Sequence, residues 1–174
     1  NESYSLHVNV DTFHIHASPI CVSITSLYTF TPLFVRNSDG CVTSQYIYVD
    51  VSDWNLFTHR GIMLDTIRHY FPVATITRMI DAAKMSKFNV LHIHLVDAQS
   101  FPFNSISYPN LVKGAYSQRF QYTTDDSKRI TDYAYDRGIR ILYEIDVPGH
   151  AASWGKGYPE VLADCLDKYD NINN

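Results

Sequence analysis

The sequence has no apolar run long enough to cross a bilayer, which excludes a membrane-spanning helix of ordinary length. It opens on Asn1-Glu2-Ser3, with neither the basic nor the apolar stretch of a secretory leader, and so reads as a mature or truncated chain. It has no block of like charge. The formal net charge of -4 disfavours nucleic acid or an anionic membrane surface as partner. Cysteine is scarce. Cys21, Cys41 and Cys165 contain no C-x-x-C pair, so neither a zinc site nor a dithiol redox site is expected. In an oxidising compartment Cys21 and Cys41 can bridge, leaving Cys165 for a partner beyond the end of the chain. In a reducing one all three are buried thiols, and the count does not choose.

Aromatic residues are plentiful, with 13 Tyr and 9 Phe. Their first use is core packing, and stacking on sugars or bases comes second. Two textures divide the chain, and we place the boundary between residues 1–55 and 56–174. In the first stretch, Tyr4 to Val10 and Phe13 to Ala17 alternate apolar and polar, as half-buried strands do. Ser23 to Val35 reads as a helix, Asn37-Ser38-Asp39-Gly40 as a turn, and Val42 to Val51 as a further strand.

The second stretch has another rhythm. Gly61-Ile62-Met63-Leu64-Asp65 is an almost wholly apolar run, the mark of a parallel strand covered on both faces. Pro72 opens a helix on which Ile76, Met79, Ile80 and Ala83 recur at helical spacing. Asn89 to Asp97 is a second strand. Thr124-Asp125-Asp126 opens a second helix, Gly138 ends it, and Ile139 to Asp146 is a third strand. Strand, helix, strand, helix, strand implies parallel βαβ units. Three strands do not close a barrel, and the polar tail after Asp164 has no destination, so the chain looks interrupted.

Polar residues gather where these strands end. Arg68 follows the first, Asp97 closes the second, and Glu144, Asp146 and His150 lie on or after the third. The carboxyl ends of parallel strands share one face, so these residues are expected to converge there. Helix capping and buried ion pairing explain any one of them alone. His92 and His94 have the H-x-H spacing of some metal-dependent barrel hydrolases, but they sit inside a strand without an evident third ligand. They are read as core histidines, and His14 and His16 as surface or structural.

Together these segments resemble glycoside hydrolase family 20, the β-N-acetylhexosaminidases. The resemblance is carried by His59-Arg60-Gly61-Ile62-Met63-Leu64-Asp65-Thr66-Ile67-Arg68-His69-Tyr70-Phe71-Pro72 and by Lys87 to Asp97. Gln99-Ser100-Phe101-Pro102, Glu144-Ile145-Asp146-Val147-Pro148-Gly149-His150 and Ser153-Trp154-Gly155 add to it. It implies an α/β fold: an incomplete (β/α)8 TIM barrel, its first three βα units, preceded by a small α+β domain. It also implies removal of terminal N-acetylglucosamine or N-acetylgalactosamine from glycans with retention of configuration. In this family the substrate's own acetamido oxygen attacks the anomeric carbon, while a glutamic acid protonates the leaving oxygen.

By the resemblance, Arg68 grips hydroxyls of the terminal sugar, with Glu144 beside it as a binding candidate. Asp97 and His150 match the family's pair next to the catalytic acid, and Asp146 supports His150. Arg60 and Asp65 look structural. No cofactor and no metal are implied, and the resemblance allows for a dimer and for a lysosomal or secreted protein. Two departures stand out. Ala98 replaces a usual second aspartate, and nothing matches the adjacent Asp-Glu pair that polarises the acetamido group and donates the proton. Asp125-Asp126 lies at a helix start, the wrong place. The expectation is a fragment that lacks its acid catalyst, with a non-catalytic sugar-binding or interaction module as the alternative.

Overall fold

The computed structural model describes residues 2–44, 46 and 48–163, so the expectations for Cys165 and for the polar tail lie outside the described residues. The fold is mixed α/β and divides into two compact units. The first gathers Asn1–Ile62, Val73–His92 and Ile130–Leu142. The second gathers Met63–Pro72, Ile93–Arg129 and the chain from Tyr143 onward.

In the first unit β1 (Ser3–Val8) is the middle strand of an antiparallel sheet, between β2 (Phe13–Ala17) and β5 (Val49–Trp54). Its alternation turns Tyr4 and Leu6 inward, and Leu6 faces Ile15 on one side and Val51 on the other. β1 stops at Val8, two residues short of the expected end. The Asn9 side-chain oxygen accepts the N–H groups of Asp11 and Thr12 and closes a turn there.

The first helix also differs from the expected Ser23–Val35. α1 spans Ile20–Phe30 and is followed by a 3₁₀ turn, Thr31–Leu33, and by β3 (Phe34–Arg36). Pro32 has no N–H to continue the helical ladder, so the α-helix gives out before it. The hydroxyls of Thr25 and Ser26 bond back to the carbonyls of Cys21 and Ser23, which lets these poor helix formers sit inside the helix.

The single strand expected over Val42 to Val51 is in fact two. β4 (Val42–Ser44) forms a hairpin with β3, and β5 belongs to the other sheet. Ser44 ends β4 by bonding through its hydroxyl to both the N–H and the carbonyl of Tyr46. Cys21 and Cys41 are free thiols, so they do not bridge. Cys41 is exposed beside the turn at Asn37–Gly40, and so it is not the buried thiol of the other alternative either.

Three strands then alternate with two helices: β6 (Gly61–Asp65), α2 (Val73–Met85), β7 (Val90–Val96), α3 (Thr124–Tyr135) and β8 (Arg140–Ile145). The strands form a parallel sheet in the order β6-β7-β8. α2 buries Ile76, Ile80 and Ala83 at the expected spacing, and it also buries Lys84, which is 2% exposed. The Lys84 ammonium donates to the Thr25 hydroxyl at 2.8 Å. Thr123 and Asp126 cap α3 reciprocally: Asp126 accepts the Thr123 N–H, and the Thr123 hydroxyl accepts the Asp126 N–H. Gly138, at φ +67°, ends the helix with its N–H on the Tyr135 carbonyl.

In the second unit the chain between β7 and α3 is long but has a hydrogen-bonded base. Asp97 N–H donates to Ser100 O, Phe101 N–H to Gly114 O, and Tyr122 N–H to Pro102 O. The buried Tyr122 hydroxyl donates to the Phe71 carbonyl at 2.6 Å, and its ring stacks on Tyr70. Among the described residues no helix is long and apolar enough to cross a membrane.

Candidate active site

The second unit holds the carboxyl-terminal ends of β6, β7 and β8 and the loops that follow them. Asp65 ends β6. Its Oδ1 accepts the N–H groups of Ile67 and Arg68 and so turns the chain, while Oδ2 takes the Arg68 guanidinium at 2.8 Å. Asp65 is therefore structural, as expected, and also aims Arg68. The other end of that guanidinium lies 2.7 Å from Asp97 Oδ2. Two of its five donors are spent on carboxylates, and the group is about half-exposed.

Asp97 lies at the centre. It follows β7 directly and is 1% exposed. Its Oδ2 faces Arg68 and His94 Nε2 (2.8 Å); its Oδ1 faces His150 Nδ1 (3.0 Å) and accepts the Ala98 N–H. Burial alone pushes a carboxyl group up, but the hydrogen bonds from His94, Ala98 N–H and His150, with the Arg68 charge, hold Asp97 down at about 2. The backbone is fixed as well: the fully buried Ser153 hydroxyl donates to the Asp97 carbonyl at 2.5 Å. Gly114 makes that packing feasible, because a Cβ there would stand 2.5 Å from the Ser153 carbonyl oxygen.

His150 lies after the cis Val147–Pro148 bond, in the left-handed region at φ +56°. Such a conformation in a non-glycine residue is uncommon and favours functional sites. The imidazole is 57% exposed, with Nδ1 on Asp97. Asp146 comes within 4.8 Å of both Asp97 and His150 but hydrogen-bonds neither. Glu144 reaches the group through His94, whose Nδ1 is 3.0 Å from Glu144 Oε1.

His94, read from the sequence as a core histidine, is buried as expected but also belongs to the cluster, which the sequence did not show. It is 6% exposed and sits between two carboxylates, each of which only accepts. Burial lowers its pKa, but the hydrogen bonds to Asp97 and Glu144 and the charges of Glu144 and Asp65 outweigh that and raise it. The available signal was the pairing of His94 in one parallel strand with an acidic residue, Glu144, in the next. Two trios bring possible metal-ligating atoms within 4.8 Å: His94, Glu144 and Asp146, and Asp97, Asp146 and His150. We do not read them as a metal centre. Both His94 nitrogens already face carboxylates, and Arg68 occupies Asp97.

The model of the glycosyl hydrolase family 20 catalytic domain matches residues 57–174. The chain belongs to glycosyl hydrolase family 20. It is 43% identical, over its whole length, to β-hexosaminidase subunit A1 of Dictyostelium discoideum, of which it covers 32%. It is 41% identical to the human β-hexosaminidase subunit beta, covering 31% of that protein. The chain thus spans about a third of the length of these curated relatives. Among solved structures, a family 20 exo-β-N-acetylglucosaminidase of Vibrio harveyi, in complex with N-acetylglucosamine, superposes with a TM-score of 0.83 at 26% identity. That match covers 97% of this chain and 29% of the other. The Flavobacterium johnsoniae chitobiase gives 0.79 at 37%, over 91% of this chain and 24% of its own. The expected membership is borne out, and the Asp97 cluster lies within the residues matched by the family 20 model.

Proposed function

We propose that this chain supplies the sugar-gripping half of a β-N-acetylhexosaminidase site, acting on terminal non-reducing N-acetylglucosamine or N-acetylgalactosamine of glycans. The observation that carries this is the convergence of Arg68, Asp97 and His150 on one hydrogen-bonded cluster in a family 20 chain. Arg68 offers its spare donors to sugar hydroxyls. Asp97 orients His150, and His150, exposed, positions the general acid. Asp146 and Glu144 complete the acidic surround. The reaction is substrate-assisted and retaining: the acetamido oxygen displaces the leaving group and water then opens the intermediate. The family's polarising aspartate and acid glutamate belong to an adjacent Asp-Glu pair, which the 174 residues do not contain.

The same reading treats residues 1–55 as a small α+β domain and 56–174 as the first three βα units of a TIM barrel. A lysosomal or secreted location and a dimer go with it. The test grafts this sequence into the matching span of the Dictyostelium subunit A1 and assays a chromogenic N-acetylglucosaminide. Turnover that Arg68→Ala and Asp97→Ala abolish is expected, as is no turnover by the 174-residue chain alone. A soluble, cooperatively melting graft without turnover sinks the proposal. Saturable N-acetylglucosamine binding by the chain alone, with an inactive graft, hands the case to a non-catalytic sugar-binding module.

A further inference from the structure

We propose that His94 is a positioning residue: a buried imidazolium, clamped between Asp97 and Glu144, that keeps Asp97 ionised and turned toward His150. The inference rests on the hexosaminidase reading for its activity readout but not for its chemistry.

The geometry leaves little choice of protonation. Nε2 lies 2.8 Å from Asp97 Oδ2 and Nδ1 lies 3.0 Å from Glu144 Oε1, with the ring 6% exposed. A neutral imidazole donates from one nitrogen only. Its other lone pair would then face a carboxylate oxygen in a site sheltered from water, which is repulsive. Protonation turns that repulsion into a second charge-assisted hydrogen bond.

Every element around the ring argues the same way. β6 contributes Asp65 and, just after it, Arg68. β7 contributes Asp97 next to its end, and β8 contributes Glu144, with Asp146 and His150 following it. Four carboxylates face one arginine and two histidines. With His94 neutral the cluster's surplus of negative charge grows by one, and Asp97, the most buried of the four, is then the more favoured to take up a proton. A protonated Asp97 has to donate from one oxygen, and it loses either the bond to Arg68 Nη2 or that to His150 Nδ1. The imidazolium prevents this without touching substrate.

The test uses the full polypeptide that carries this sequence. His94→Gln keeps a donor for Asp97 but loses the charge. The expected result is that the acid limb of kcat/KM moves up by about 1 pH unit. Activity relative to wild type then falls about tenfold between near-neutral and acid pH. A loss of the same size at every pH marks a merely structural role and overturns the proposal. A second measurement needs no turnover: ¹⁵N spectra of the histidine rings, titrated from acid to neutral pH. Two protonated nitrogens on His94 persisting above the ordinary histidine value near 6.5 support the proposal, and loss of one of them earlier in Glu144→Gln supports the clamp. A ring that is neutral at pH about 6 in the wild type overturns it. Should the polypeptide hydrolyse no N-acetylhexosaminide at all, the functional reading fails while the titration still decides for or against His94.

Discussion

Replacing Asp97 with asparagine tests the charge network where its bonds converge. The shape is kept, but one oxygen becomes an amide N–H₂ and meets donors on either side: Arg68 and His94, or His150 and Ala98 N–H. A carboxyl group held at about 2 instead of 3.8 contributes about 2 kcal/mol to folding stability. Because the folded value is the lower one, this contribution is complete above the unfolded value and drains away as pH falls through the folded one. The wild-type advantage over Asp97→Asn from this source is therefore about 2 kcal/mol near pH 5.5 and about 1 kcal/mol near pH 3. The clash of donors adds a part that does not vary with pH, so the narrowing is the diagnostic quantity. Urea unfolding of the full polypeptide at both pH values, followed by tryptophan fluorescence, measures it. A difference of equal size at both values refutes the reasoning, since the Asp97 carboxylate would then gain nothing from its donors.

Two further predictions concern packing. Lys84→Met stabilises the protein by about 1 kcal/mol at acid and neutral pH, because a buried ammonium that donates to the neutral Thr25 hydroxyl, and feels the Glu2 charge without an ion pair among the described residues, is replaced by an apolar chain of similar size. Thr25 keeps its bond to the Cys21 carbonyl. Burial depresses the Lys84 pKa, so the wild type sheds this penalty as pH rises toward the ordinary lysine value; thermal melts of both proteins should converge in alkali, and a destabilised Met variant would count against the argument. Gly114→Ala costs about 1–3 kcal/mol by overpacking. The new Cβ meets backbone at 2.5 Å and Phe101 Cβ at 2.9 Å, neither a flexible chain end, and an unchanged melting temperature would contradict this.

Much of the second stretch was legible because its pattern is redundant. The runs of β6, β7 and β8 have the length and flanks of parallel strands, and Gly138 and Pro72 mark helix ends by backbone constraint. Only β7 is covered on both faces as that pattern implies: Ile62 and Met63 of β6, and Leu142 and Ile145 of β8, are exposed. β7 and β8 start and stop within one residue of expectation. The first stretch was harder, since its boundaries are set by single side chains that bond back to the main chain. Asn9 shortens β1 and Ser44 splits the run from Val42, and neither effect shows in the alternation of apolar residues. In the site, Arg68, Asp97 and His150 could be placed on one face by topology alone. The part played by His94 was hidden because a histidine inside an apolar strand looks like core, and core it is, at 6% exposure. Its partners are two carboxylates, one three residues on and one a strand away. Lys84 was invisible for a similar reason: a lysine near a helix end ordinarily reaches water.

The chain between β7 and α3 is tied at its base by Asp97 to Ser100, Phe101 to Gly114 and Tyr122 to Pro102, while Ile106 is 82% and Tyr108 60% exposed at its tip. Evolution is thereby given a loop whose two ends answer to different demands. The base is coupled to the cluster and tolerates little change, as the crowding at Gly114 shows. The tip hangs from that base with Ile106 in water and the Tyr108 ring edge-on to Tyr158, and substitutions or insertions between Ser105 and Tyr108 leave Asp97 where it is. Descendants of this sequence can thus drift in what they meet at the rim while the charges beneath stay in register.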